Sequence, residues 1–81
     1  MNSELHLQYY DSNTLLLVNS KGLIRKLYTP FKVVCINAVG YIQSSTHVFV
    51  EEVLTNDRDE ILYYIAGEVL SHQNFRIPIS F

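Results

Sequence analysis

Apolar and polar residues alternate with a period of two in two well-separated stretches, and this pattern limits the fold more than anything else in the chain. Leu5, Leu7 and Tyr9 are interleaved with His6, Gln8 and Tyr10. Phe75, Ile77, Ile79 and Phe81 are interleaved with Arg76, Pro78 and Ser80. A period of two is that of a strand with one buried face, because successive side chains leave a strand on opposite sides. Pro78 lacks an N–H and confines its strand to an edge or to the end of its pairing.

Between these stretches the chain is short apolar runs cut by turn residues. Thr14 to Val18 reads as a strand that forms a hairpin with the first, across Asp11-Ser12-Asn13. Asn19-Ser20-Lys21-Gly22 is the next turn. Leu23 to Tyr28 reads as a third strand or an irregular arm, interrupted at Thr29-Pro30. Phe31 to Val39 follows, and Val33-Val34-Cys35-Ile36 is apolar on both faces, as a central strand would be. Gly40 marks a bulge or bend, and Ser44-Ser45-Thr46 a turn. His47 to Leu54 is the clearest long strand. It pairs as a second hairpin with Glu60 to Ala66 across a polar loop. Glu68 to Asn74 is too short for a stable α-helix and suits one tight helical turn.

Composition agrees. Of the 81 residues, 48% are apolar and 17% charged, which excludes a disordered chain. The apolar residues are largely Val, Ile, Tyr and Phe, which suit a pleated surface. Alanine occurs only at Ala38 and Ala66. One domain spanning residues 1–81 is expected, and at this size it buries only about 60–65% of its unfolded surface. The single cysteine, Cys35, can form no internal disulfide. With no signal-like or membrane-length apolar run, a cytoplasmic location is expected and no membrane partner.

The order of segments from Phe31-Lys32-Val33-Val34-Cys35-Ile36, through Val48 to Val53 and Ile61 to Ile65, to Gly67-Glu68-Val69-Leu70-Ser71-His72-Gln73-Asn74-Phe75-Arg76-Ile77 resembles an SH3-like barrel. In such barrels a long hairpin is followed by a strand, a single 3₁₀ turn and a short closing strand. The resemblance covers residues 31–81. It implies an all-β fold, a small barrel of five to seven short antiparallel strands with one 3₁₀ turn before the last. With no tryptophan in the chain, it does not extend to gripping proline-rich peptides.

Residues that could carry chemistry are few. Cys35 has apolar neighbours, whereas a reactive thiol needs an electropositive, partly exposed setting; it reads as a buried structural residue. His6, His47 and His72 lack the close spacing of zinc ligands. Adjacent Glu51 and Glu52 leave a strand on opposite faces, the wrong geometry for a catalytic pair; one of them is expected to point inward against a basic partner. Asn56-Asp57-Arg58-Asp59-Glu60 is shorter than a calcium loop and lacks its central glycine; it reads as a hairpin tip. No phosphate-cradling or nucleophile-elbow motif occurs. An enzyme, a metal or a cofactor is therefore not expected.

The net charge of −2 is unevenly spread. The first fifty residues hold four bases and two acids, and the remaining thirty-one hold two bases and six acids. No acid occurs between Ser12 and Val50, where Lys21, Arg25, Lys26 and Lys32 fall. Six tyrosines accompany them, and the pairs Tyr9-Tyr10 and Tyr63-Tyr64 are each expected to place one ring outward. Outward tyrosine gives contact area at low entropic cost. The expected function is a non-enzymatic interaction module that docks on a protein partner or self-associates. The candidate surface is Lys21, Arg25, Lys26, Tyr28, Lys32, Tyr41 and Tyr64. The alternative is weak binding of RNA or single-stranded DNA by the basic 21–32 stretch and exposed tyrosines.

Overall fold

The computed structural model describes residues 5–79. They form nine strands and one 3₁₀ turn: β1 (His6–Asp11), β2 (Thr14–Val18), β3 (Ile24–Tyr28), β4 (Phe31–Cys35), β5 (His47–Val50), β6 (Glu52–Thr55), β7 (Ile61–Ile65), β8 (Glu68–Ser71), the 3₁₀ turn His72–Asn74, and β9 (Phe75–Arg76). The all-β class is as expected, as is the 3₁₀ turn ahead of the last strand. No helix among the described residues is long and apolar enough to cross a membrane.

The strands form three antiparallel sheets of three, ordered β1-β2-β3, β5-β4-β9 and β6-β7-β8. The first expected hairpin is β1-β2, and the second is β6-β7. Phe31–Cys35 takes the central place in its sheet. Its Phe31, Val33, Val34 and Cys35 are all buried, which explains why apolar residues fill both faces. Ile36, just past the strand end, is exposed instead.

A closed barrel of five to seven strands is not what these ladders make, and the reasons are local. The 47–54 run is split at Glu51, which lies between β5 and β6 and whose N–H donates to the Tyr64 carbonyl at 2.9 Å. The buried parity changes there, from Val50 before the break to Val53 after it. One stretch of chain therefore serves two sheets in turn. Glu68 to Asn74 divides into a true strand, β8, and the 3₁₀ turn; Ser71 caps that turn by accepting the Gln73 N–H at 3.2 Å. The last strand is only Phe75–Arg76, with two residue pairs to β4. At Pro78 the chain turns, and the Ile79 N–H donates to the Ile77 carbonyl at 2.9 Å. The expected continuation to Phe81 lies partly outside the described residues. With so short a β9, no ladder joins β8 to β9, and the sheets stay open.

Side chains hold the sheets together. Leu15 and Leu17 from β2 belong to one buried cluster with Phe31, Val33 and Cys35 from β4 and with Val50, Val53, Tyr63 and Phe75. Tyr63 sits at the centre, its ring edge-on to Phe31 at 5.8 Å and tilted against Phe75 at 6.0 Å. Paired rings of this kind add about 0.5–1.5 kcal/mol beyond the area they bury. A backbone tie also crosses between sheets, from the Val53 N–H to the Ser12 carbonyl at 2.9 Å. Cys35 is buried and free, and its thiol donates to the Asn37 carbonyl at 3.1 Å.

Candidate functional site

The outer face of β1-β2-β3 is the first of two features that could bind something. Leu15 and Leu17 are buried, so the alternate residues of β2, Leu16 and Val18, must face outward. Register then places Gln8 and Lys26 beside Leu16, His6 and Ile24 beside Val18, and Tyr28 beside Thr14 on that face. A bulge between Tyr9 and Asp11 leaves Tyr10 as the extra residue. Its ring comes to the same side, with the Lys26 Nζ 5.5 Å above its centre. Ile24 is 62% exposed, Tyr28 63% and Tyr10 58%. No described strand covers this face or pairs with the far edge of β3.

Of the seven residues expected at an interaction surface, this face gathers two, Lys26 and Tyr28. Arg25 pairs with Leu17 and so leaves β3 on the opposite side. Lys21 lies in the exposed β2–β3 turn. Lys32 is on the second sheet, opposite the exposed Phe49. Tyr41 is 94% exposed in the loop between β4 and β5, beside the Val39–Ile42 bridge. Tyr64 is half-buried on the third sheet, between Glu52 and Val69. The residues sequence reasoning passed over are Tyr10, Leu16, Val18 and Ile24. The signal for them was available: on a hairpin with Leu15 and Leu17 inward, Leu16 and Val18 can only be outward.

The second feature is a cleft of about 720 Å³ where the three sheets meet. Leu5 and Leu7 at the start of β1, Ile61 and Tyr63 from β7, and Phe75 and Ile77 from the last segment supply its apolar lining. Asp59 and Glu60, at the β6–β7 tip, and His72, Gln73 and Arg76 supply its polar lining. The tip is held by Asn56, whose side-chain oxygen accepts the N–H groups of Arg58 and Glu60 at 2.9 and 3.0 Å, and whose amide donates to the Glu60 carboxylate at 2.7 Å. This network holds Asp59 at a φ of +60°. Burial lowers the pKa of His72 from its usual 6.5, while the Glu60 carboxylate opposes that shift.

The charged and titratable residues do not assemble a metal site: no group of three or more such ligands comes together among the described residues. Neither Glu51 nor Glu52 is buried, so the expected inward carboxylate is absent. Glu51 instead accepts the Ala66 N–H at 3.3 Å, beside the β7–β8 turn. Compared with protein-family models, with curated proteins and with solved structures, the chain matches none.

Proposed function

We propose that this chain is a non-enzymatic interaction module that docks through the outer face of β1-β2-β3, on another protein or on a second copy of itself. The observation that carries this reading is the uncovered apolar centre of that face. Ile24, Tyr28 and Tyr10 stand exposed around half-buried Leu16 and Val18. Contiguous apolar patches of this sort mark interaction sites more often than scattered exposed residues do. The open edge of β3 adds backbone donors and acceptors that a partner strand could take up. Lys26, stacked on Tyr10, contributes a charge at the middle of the patch.

The test is sedimentation over a range of concentrations, with a photo-crosslinking residue placed at Tyr28. Self-association, or a crosslinked protein captured at that position and lost from an Ile24→Ser variant, supports the reading. A strict monomer with no captured protein overturns it.

Nucleic-acid binding is the second reading, and the Lys26–Tyr10 stack with Tyr28 on the same face supports it, since bases stack on such rings. The placement of Arg25 on the opposite side of β3 weighs against it. Oligonucleotide titration at low salt should shift the amides of β3 and lose that effect as salt rises. We also propose that residues 31–76 form an SH3-like arrangement left open. The passage of one strand from the β5-β4-β9 sheet to the β6-β7-β8 sheet supports this. The lone, buried Cys35 supports a cytoplasmic setting.

A further inference from the structure

Two charges of opposite sign line the cleft without meeting each other. Asp59 and Arg76 both border it, and no ion pair or side-chain hydrogen bond engages either residue among the described residues. Glu60 adds a second carboxylate, already partly engaged by Asn56. Leu7, Ile61 and Phe75 contribute apolar surface to the same lining. The volume falls within the range of about 300–1,000 Å³ usual for small-molecule sites.

Tyr63 supplies an independent observation. It is 1% exposed, yet its hydroxyl makes no hydrogen bond among the described residues. Among the described residues, no fully buried side-chain nitrogen or oxygen is left without a partner. Tyr63 is also one of the residues that line the cleft. Buried polar groups are normally satisfied, so an unpartnered hydroxyl on a buried residue that lines the cleft is suited to a hydrogen bond with a ligand.

We infer that the cleft between the β6–β7 tip, the 3₁₀ turn and β9 binds a small zwitterion with an apolar body, of the class of aromatic amino acids. The ligand's ammonium faces Asp59 and Glu60, its carboxylate faces Arg76, and its ring lies on Leu7, Ile61 and Phe75. Tyr63 offers a hydrogen bond to a ligand polar atom. A purely cationic or purely anionic ligand would leave one lining charge unanswered. This site is separate from the outer sheet face, and neither proposal depends on the other.

The test is an NMR titration of the labelled full chain with L-phenylalanine, with phenethylamine, which lacks the carboxylate, and with 3-phenylpropanoate, which lacks the amine. Saturable shifts are expected at Ile61, His72, Gln73 and Phe75, with L-phenylalanine binding about tenfold tighter than either analogue, the usual worth of one charge-assisted contact. Arg76→Gln should remove the advantage over phenethylamine, and Asp59→Asn the advantage over 3-phenylpropanoate. Tyr63→Phe, which keeps the packed ring, should weaken L-phenylalanine several-fold. Absence of saturable shifts at those amides overturns the proposal. So does equal binding of all three compounds to the unsubstituted protein, a result that needs no variant to fold.

Discussion

Tyr63 and Tyr64 are neighbours of the same type, and the fold treats them oppositely. Tyr63 is packed among Phe31, Phe75 and His72, and burial pushes its phenol well above the usual tyrosine range. Tyr64 lies half-buried on the other side of β7. The sequence shows that one ring must face inward but not which, because Leu62 and Ile65 would suit either parity. By contrast, the burial of Cys35 is legible from its neighbours alone. Leu15, wholly buried beneath the sheet, should be costly to truncate: Leu15→Ala is expected to destabilise by about 2–5 kcal/mol in chemical denaturation. Gly40 has a φ of +58°, and an added Cβ would run into the Glu68 carboxylate. That side chain can move aside, but the backbone conformation remains unfavourable. Gly40→Ala should therefore cost about 1 kcal/mol in the same measurement.

At the scale of elements, strand positions were legible and strand ends were not. Alternation marks β1, and the doubly apolar run marks β4 as a central strand. The break at Glu51 falls at the Glu51-Glu52 doublet, where an apolar triplet (Val48 to Val50) gives way to two acids and then to Val53-Leu54; the doublet does not by itself distinguish a broken strand from a continuous one. The break arises because the strand leaves one sheet and joins another, a tertiary demand that overrides local pattern. Phe75 to Phe81 alternates well too, yet the ladder to β4 stops after Arg76 and the chain turns at Pro78. The outer face of β1-β2-β3 shows the same limit: two of the seven expected surface residues meet there, because Arg25 and Lys26 leave β3 on opposite sides while Lys21 lies in a turn and Lys32 on the second sheet. Its exposed residues carry little packing. Ile24→Ser and Tyr28→Ser should each change unfolding free energy by no more than about 0.5 kcal/mol. The same substitutions should abolish capture of a partner by a crosslinker at Tyr10, so that binding and stability separate in one pair of assays.

For the molecule as a whole, stability should depend on pH through His72. Burial holds its folded pKa below the usual 6.5, so the unfolded chain binds the proton more readily. Stability from this group is full above about 6.5 and is lost as pH falls from there toward the folded value. Melting temperature should drop over that interval, and His72→Gln should flatten the drop relative to the unsubstituted chain. The three sheets share side chains rather than a continuous ladder, with Val53 to Ser12 as a backbone tie between the first sheet and the third. Amide exchange should therefore show β1, β2 and β3 losing protection as one unit, at a lower free energy than β4 and β7.

Leu5 and Ile77 both line the cleft, so the described chain enters and leaves on the same side of the molecule. That arrangement suits a domain for transplantation. Spliced through linkers into a surface loop of a carrier protein, the unit would have both junctions beside one cleft. The uncovered face of the first sheet would still be displayed, making the fold a portable insert.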